Sequence, residues 1–414
     1  MTHNIYRKFF VYIFVISINL HLLRNLIPFY EIIILVLLFA TVIFYMYEFN
    51  FDSEDMIIWL WLFIILGIIY IILITFFQKN IYDQYIPIDQ IIRGTSRIIL
   101  MPMIMLILFP AVQDSKIVNG IIIIFISISL ASVFSLIYQY YAGPISWFAD
   151  PGSTRGINIR YASLHGSLTV SSTSLSIAIL CSYFIQKNSV IRFLTISILI
   201  IGLILSLQKS SIINVVLIFL LIFLFSENKI RTLFFIALGS LITIYLFNLL
   251  KEMNSEMFIV SHLNSILYYT LDPASADSID TNNLSFRLYG GAINIMNEYG
   301  WSSPLTGIGL LGAGASMGID GGQAHNTFWD ITFMGSFFFL MFFIISIIII
   351  FKRNFSVDNK LSKLFIASNI LFVINCFQGA ILFFQPVTSI IFWLSMACST
   401  QVFISRKKLL KNGK

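Results

Sequence analysis

The chain has 414 residues, of which 58% are hydrophobic and only 11% are charged. Soluble domains carry about a quarter charged residues, so this composition excludes an ordinary soluble protein and predicts an integral membrane protein. The net charge of +6 is accounted for by basic loops and a basic C-terminal tail, so we expect no nucleic-acid partner.

Apolar runs along the chain predict about twelve transmembrane helices in one all-α domain that spans residues 1–414. A helix needs about 20 residues to cross a hydrocarbon core of about 30 Å. The runs at 9–23, 29–47 and 98–113 are the weaker candidates, and the other nine are clear. In chain order the predicted spans are 9–23, 29–47, 56–77, 98–113, 117–138, 167–186, 193–208, 211–226, 232–249, 331–351, 364–383 and 385–404.

Lysine and arginine in the short loops predict the orientation of these helices. Lys229 and Arg231 share one loop, Lys352 and Arg353 share another, and further basic residues lie in the C-terminal tail. With twelve helices all of them fall on one side, which the positive-inside rule identifies as the cytoplasm. Both termini are then cytoplasmic.

Three longer segments are left on the external side: 78–97, 139–166 and 250–328. The last is the longest connection, and it is neither charge-rich nor of low complexity, so we expect a folded, functional loop rather than disorder. The helices themselves contain almost no ionisable residues. Proton- or ion-coupled transporters keep such residues near the middle of the bilayer, so this pattern counts against a transporter.

Basic residues on the external side contradict the positive-inside trend and need a compensating interaction. Each one by itself is equally well explained by a side chain that reaches towards lipid headgroups. As a set they favour an anionic ligand, because guanidinium groups bind phosphate oxygens with fixed geometry. The external loops contain no Asp-x-Asp pair, so we expect these residues, rather than a metal ion, to stabilise a diphosphate. They are Arg97, Arg155, Arg160, Lys209 and Arg287.

A surface helix is predicted over residues 283–299, with Gly300 as its end. The glycine-rich stretch after it contains no Walker or dinucleotide motif, and it is interpreted as a flexible segment that delivers His325 and Asn326 to the next helix. A histidine at such a boundary is by default an interfacial polar residue. The functional alternative is a general base, because an imidazole with its ordinary pKa of about 6.5 can accept the proton of an attacking hydroxyl.

Several of these residues together resemble the sequence signature of a known protein family. Arg287, "PLTGIG" at 304–309, "AHNTF" at 324–328 and Gly335 resemble the signature region of the O-antigen polymerase and O-antigen ligase superfamily. Members of that superfamily end a long periplasmic loop with an Arg…Pro-Leu-x-Gly-x-Gly…His-Asn pattern.

Two earlier features extend this resemblance to residues 150–340. Arg160, after "DPGSTRGINI", resembles an arginine that these proteins carry in an earlier periplasmic loop. The "LQKSS" turn resembles their short Ser-Arg turn, with Lys209 where arginine is commoner. Lysine keeps the positive charge but lacks the bidentate fork of arginine.

The resemblance implies a fold and a set of site residues. The fold would be an all-helical membrane glycosyltransferase of the C type, which needs no nucleotide sugar, cofactor or metal. His325 and Arg287 would be catalytic, with His325 accepting a proton and Arg287 holding the donor diphosphate. The substrate-binding residues would be Arg160, Lys209, Arg97, Arg155 and Asn326.

The function expected from the resemblance is polymerisation of polysaccharide repeat units at the bacterial inner membrane. Donor and acceptor would be oligosaccharides on undecaprenyl diphosphate, membrane lipids would surround the polyprenyl chains, and a chain-length regulator is the protein partner to consider. The first alternative is an O-antigen ligase, which transfers finished glycan to lipid A core. The alternative of a different class is a lipid or polysaccharide transporter.

Overall fold

The computed structural model describes residues 2–27, 30–45, 54–82, 86–148, 152–153, 159–206, 208–230, 232–233, 286–314 and 324–412. These residues are almost entirely helical. The helices of the first half are α1 (Thr2–Asn19), α2 (Tyr30–Tyr45), α3 (Met56–Tyr82), α4 (Ile88–Met103), α5 (Met105–Ala111), α6 (Ser115–Ala142), α7 (Leu168–Ile185), α8 (Ser189–Leu205) and α9 (Lys209–Phe225).

The second half begins with a π-helical turn, Phe286–Gly290, that leads into a short helix. Its helices are α10 (Gly291–Tyr299), α11 (Ser303–Thr306), α12 (Thr327–Gly335), α13 (Phe337–Phe355), α14 (Lys360–Cys376) and α15 (Pro386–Asn412). Short 3-10 turns cover His21–Asn25, Gly309–Ala313 and Leu382–Phe384. A two-residue strand pair, β1 (Gly152–Ser153) with β2 (Ile159–Arg160), is antiparallel.

Six of the described helices are long and apolar enough to cross a membrane, and four shorter apolar helices accompany them. The prediction of an all-helical, polytopic membrane protein is therefore confirmed in this coarse form. Residues 234–249, most of the predicted span 232–249, lie outside the described residues, so the count of twelve stays a prediction. The six long spans are Met56–Phe77, Ile88–Ala111, Ser115–Ala142, Leu168–Ile185, Phe337–Phe355 and Pro386–Ile404.

Two predicted boundaries are wrong. The first external segment was placed at 78–97, but α4 already begins at Ile88, so Arg97 lies within a helix. Hydropathy misses the first ten residues of this helix because its polar residues lie on one face, while Ile91, Ile98 and Met101 are buried on another. The span predicted at 331–351 is interrupted at Ser336, whose φ of 91° ends α12 before α13 begins.

The chain divides into two compact units. Unit 1 contains residues 1–128 and 281–414, and unit 2 contains residues 129–280. In unit 1, α13 packs against α3, α14 and α15, and α15 also packs against α4 and α5. Fully buried aromatic side chains fill this core: Phe339, Phe343, Phe372, Phe383, Phe384, Phe392 and Trp393.

A buried ion pair closes one end of unit 1. The guanidinium of Arg353, at the end of α13, donates to both carboxylate oxygens of Asp55 at 2.8 and 3.1 Å, and to the carbonyl of Ser399 at 3.2 Å. Asp55 is fully buried, and its Oδ1 also accepts from the backbone N–H of Ile57, which caps the start of α3. The start of α3 and the end of α13 therefore lie at the same end of the unit.

Segments of the second half contact α3 far from that ion pair. The hydroxyl of Tyr70 donates to the carbonyl of Thr306 at 2.7 Å, and the hydroxyl of Thr75 accepts from the N–H of Leu310 at 3.0 Å. At 1.5 Å per residue these two contacts lie about 20 to 30 Å along α3 from Asp55. The glycine-rich segment 304–314 is therefore at the end of unit 1 opposite Arg353.

In unit 2, α7 packs against both α8 and α9, and α8 packs against α9. Helix α7 is buried over most of its length although it is rich in serine. Two of its hydroxyls find partners on neighbouring elements: Ser172 with Ser211 at 2.9 Å, and Ser171 with Ser163 at 2.7 Å. Buried hydroxyl pairs satisfy polar groups that lipid could not, so a polar helix remains stable inside the unit.

The Asp55–Arg353 pair yields a prediction for stability. Asp55→Asn leaves the Arg353 guanidinium largely buried without its counter-charge, which we expect to destabilise the fold by about 3–5 kcal/mol. Asp89→Asn is the matched control, because the Asp89 side chain is 60% exposed and its pair with Arg93 is 3.5 Å long. Thermal unfolding in detergent should show a clear drop for the first variant; equal midpoints for the two variants would contradict the assignment.

Candidate functional site

His325 and Asn326 lie at the start of α12. Asn326 is the N-cap, with its side-chain oxygen accepting from the N–H of Phe328 at 3.0 Å. His325 precedes the cap with a φ of 55°, a left-handed conformation that few residues other than glycine adopt. The structure gives Asn326 a structural role, because it is buried and its oxygen is engaged in the cap. Its substrate-binding role stays a prediction.

Asp330, in the first turn of α12, joins two irregular segments. Its Oδ1 accepts from the N–H of Ala324 at 3.3 Å, and its Oδ2 accepts from the N–H of Ile381 at 3.2 Å. The side chain is fully buried. Burial raises the pKa of the Asp330 carboxyl well above its usual range, and the two backbone N–H donors act in the opposite direction.

Thr327, the first residue of α12, holds the same second segment. Its hydroxyl donates to the carbonyl of Gly379 at 2.5 Å and accepts from the N–H of Leu382 at 3.0 Å. Residues 377–385, between α14 and α15, are thus bonded to α12. Within this turn Ile381 has a φ of 46°, which presents its N–H to Asp330.

The segment that carries Arg287 is fastened to the segment that carries His325. The indole N–H of Trp329 donates to the carbonyl of Leu288 at 2.7 Å. Gly291 packs against Ala324 so closely that an added Cβ would lie 2.8 Å from the Ala324 Cα. Arg287 directly precedes Leu288, and His325 directly follows Ala324. The structure therefore brings these two backbone segments together, whereas the Arg287 side chain lies outside the described atoms.

The helix predicted over 283–299 is present as Phe286–Gly290 and α10, and it ends at Gly300 with a φ of 95°, as predicted. The glycine-rich stretch after it is not a flexible delivery segment in its described part, residues 304–314. An added Cβ on Gly307 would lie 2.9 Å from the carbonyl oxygen of Met334, and one on Gly312 would lie 2.5 Å from the carbonyl carbon of Phe333. These glycines allow the backbone to pack directly against α12. The N–H of Ile308, in the same segment, also donates to the carbonyl of Phe333 on α12.

Arg97 belongs to the same unit as His325. It is half-buried on α4, and α4 contacts the Leu382–Phe384 turn, whose first residue bonds to Thr327. The helix that carries Arg97 is therefore one packing layer from the start of α12.

The remaining predicted basic residues belong to unit 2. Arg160 ends β2 and Lys209 begins α9, while the side chains of both lie outside the described atoms, as does the whole of Arg155. The turn before Lys209 is fixed to the start of α7, because the Gln208 amide reaches the Thr169 hydroxyl at 3.5 Å. Ser206 and Ser211, on either side of this turn, bond to each other at 2.7 Å.

His165 is a buried histidine that sequence analysis did not single out. It lies in a loop between α6 and α7, and its Nε2 is 3.0 Å from the hydroxyl of Ser129. Ser129 is halfway along α6, about 20 Å along the helix axis from Ala142. The expectation that ionisable groups avoid the middle of the helices is therefore wrong for His165. The sequence places His165 in a loop, and hydropathy does not show how far a loop side chain extends along a neighbouring helix.

The loop before His165 is fastened to α6 as it approaches. The Gln139 amide donates to the carbonyl of Ala162 at 2.7 Å, and the N–H of Leu164 donates to the Ser135 hydroxyl at 3.1 Å. Burial lowers the pKa of His165 to about 3, so its imidazole is neutral at physiological pH. The loop that follows Arg160 is thus anchored by neutral hydrogen bonds.

No protein-family model matches this chain, and no curated protein matches it. The assignment of a function consequently depends on the residues themselves. Among the described residues there is no group of three histidine, cysteine, aspartate or glutamate side chains placed to hold a metal ion. The expectation that no metal takes part stays an expectation.

The Trp329–Leu288 contact yields a prediction for local opening. Trp329→Phe removes the indole donor and keeps an aromatic ring, so we expect a loss of about 1 kcal/mol and roughly fivefold faster hydrogen exchange in residues 286–299. Trp301→Phe is the control, since Trp301 is 69% exposed and its loss should leave that exchange unchanged. Unaltered exchange in Trp329→Phe would show that the indole does not hold this segment.

His165 yields a prediction for pH dependence. Its pKa is about 3 in the folded chain and about 6.5 when unfolded, so the unfolded chain alone takes up a proton between these values. The stability that the neutral imidazole contributes is complete above pH 6.5 and is lost progressively as the pH falls towards 3. At pH 4.5 this loss amounts to about 2–3 kcal/mol. His165→Gln should therefore lose less thermal stability than the wild type between pH 7 and pH 4.5. An equal loss in both would show that His165 is not the group responsible.

Proposed function

We propose that this chain is a polysaccharide polymerase of the bacterial inner membrane. It transfers a glycan from undecaprenyl diphosphate to a lipid-linked repeat unit on the outer face of that membrane. The observation that carries the proposal is the bonding of the Arg287 segment to the His325 segment through Trp329 and Gly291. The arginine holds the leaving diphosphate and the base takes the proton of the attacking hydroxyl, and both groups meet at the anomeric carbon of the donor, so their segments have to lie close together.

The sidedness of unit 1 agrees with this proposal. Arg353 belongs to a basic loop that the positive-inside rule assigns to the cytoplasm. The end of α12 contacts segment 304–314 through Phe333 and Met334. That segment lies at the opposite end of the unit, which would face the outside. Repeat units linked to undecaprenyl diphosphate would be used there.

The proposed reaction needs one nucleophile, one base and one leaving group. A hydroxyl oxygen of the acceptor sugar attacks the anomeric carbon of the donor, and the bond from that carbon to the diphosphate oxygen breaks. His325 accepts the hydroxyl proton, and the departing undecaprenyl diphosphate keeps the bonding electron pair. Arg287 stabilises the negative charge that builds on the diphosphate, which is the kind of interaction that lowers such barriers most.

Other residues have supporting roles in the proposal. Arg97, in unit 1, is assigned to the donor diphosphate. Arg160 and Lys209 in unit 2, together with Arg155, receive the same assignment from the resemblance to the O-antigen polymerase and ligase superfamily. The polyprenyl chains occupy the lipid beside the helices, and a chain-length regulator is the proposed protein partner.

Two alternatives use other acceptors or other chemistry. An O-antigen ligase would perform the same bond exchange with lipid A core as the acceptor. One observation favours a lipid or polysaccharide transporter: the His165 imidazole lies beside Ser129, halfway along α6. Because that imidazole is fully buried and bonded to a hydroxyl of its own unit, a structural anchor explains it better than a proton relay does.

The test is a gel of surface polysaccharide from cells lacking the gene, complemented with wild type, Arg287→Ala, His325→Ala or Arg192→Ala. We expect core with a single repeat unit in the deletion and in the first two variants, because neither can transfer the glycan. Arg192→Ala is the matched control, since this arginine lies in the first turn of α8 over the ring of Tyr183 and the positive-inside rule assigns it to the cytoplasmic side; it should restore full-length polymer.

Other gel patterns would reject the proposal in distinguishable ways. Loss of all core-linked glycan with accumulation of lipid-linked polymer would identify a ligase. An unchanged ladder in the deletion would exclude both transferases and favour the transporter. Normal-length polymer with Arg287→Ala or His325→Ala, at wild-type protein level, would remove that residue from the mechanism.

A further inference from the structure

Asp330 is an unusual residue to find at the start of a helix inside a membrane protein. A fully buried carboxyl group is costly unless each of its oxygens is hydrogen-bonded. Here each oxygen accepts from one backbone N–H, and the two donors, Ala324 and Ile381, belong to segments that are distant in sequence. The group therefore does more than cap its own helix.

Ala324 is fixed from two directions. Asp330 holds its N–H, and Gly291 lies in direct contact with its Cα and carbonyl. On the other side of His325, the Asn326 cap fixes the first turn of α12. His325 is thus the one residue between two restrained neighbours, and its left-handed φ of 55° is a conformation that such restraints have to maintain.

We infer that Asp330 is a positioning residue that directs the imidazole of His325 by holding the backbone of Ala324. The inference rests on the proposed function, in which His325 accepts the proton of the attacking hydroxyl. Asp330 itself would touch neither sugar nor diphosphate.

The effect of losing this restraint is on the rate rather than on binding. A general base must lie within hydrogen-bonding reach of the proton that it removes, and a misplacement of about 1 Å lowers the rate by about a hundredfold. Donor affinity depends on the basic residues, which Asp330 does not bond. The inference therefore predicts a change in kcat with little change in KM.

Asp330→Asn is the primary test, because the amide nitrogen cannot accept a hydrogen bond and faces a backbone donor. Membranes containing the full-length variant are assayed with lipid-linked repeat units extracted from cells that lack the gene. We expect kcat to fall about 10- to 100-fold and KM for the donor to change less than about twofold. The wild-type rate should rise with pH and then level off once His325 is neutral. In the variant the plateau should disappear, because hydroxide then replaces the misplaced base.

Two control variants separate positioning from general damage. Asp358→Asn makes the same chemical change at a side chain that is 86% exposed, and it should behave as wild type. Thr327→Val releases Gly379 and Leu382 from the same helix turn but leaves the Ala324 bond intact. It should lower the thermal midpoint and keep both kcat and the plateau. If it reproduces the Asp330→Asn profile, loosening of α12 is the cause and the inference is overturned.

Gly291→Ala tests the same contact without touching Asp330, and it decides the matter if Asp330→Asn does not fold. The added methyl group displaces Ala324 from the opposite side, so it should give the same loss of kcat and of the plateau. Wild-type kinetics in a folded Asp330→Asn would overturn the inference. If Asp330→Asn does not fold, wild-type kinetics in Gly291→Ala would overturn it instead. In either case an inactive His325→Ala would still support the proposed function. An active His325→Ala would remove the base on which the inference rests, whereas an unchanged ladder in the deletion would overturn the proposed function itself.

Discussion

Backbone polar groups inside a membrane protein need partners from the protein, since lipid offers none. Continuous helices meet this requirement by themselves, but residues 324–326 and 377–385 are irregular and cannot. Side chains from the first turn of α12 supply the missing partners. Thr327 and Asp330 together bond to the backbone at Ala324, Gly379, Ile381 and Leu382. These bonds fix both irregular segments to the same helix turn.

Hydropathy alone predicts most of the helices, because a long apolar run has few other structures available in a bilayer. Where it fails, the cause is physical. α4 carries its polar residues on one face, so a window average hides its first ten residues. The break at Ser336 depends on a single left-handed residue inside an apolar run, and averaging over the run conceals it as well.

The candidate site is predictable in part. His325 and Arg287 can be singled out because isolated ionisable residues beside apolar runs are rare, and the bonding of their segments is a tertiary fact that no local pattern contains. Asp330 ends the stretch "HNTFWD". An acidic residue four positions after a helix cap predicts only a favourable charge near the start of the helix. Its second partner, Ile381, is 51 residues away. The glycines were misinterpreted because glycine serves both flexibility and close packing, and only the neighbouring atoms distinguish the two.

The turn at Ile381 is held in an uncommon state. A branched side chain with a φ of 46° costs about 1–2 kcal/mol relative to ordinary conformations. The N–H of Ile381 points at Asp330 in that conformation, and the bond offsets part of the conformational cost. The free energy of this one hydrogen bond therefore serves two ends, because it attaches the link between α14 and α15 to α12 and also keeps the turn in its uncommon conformation.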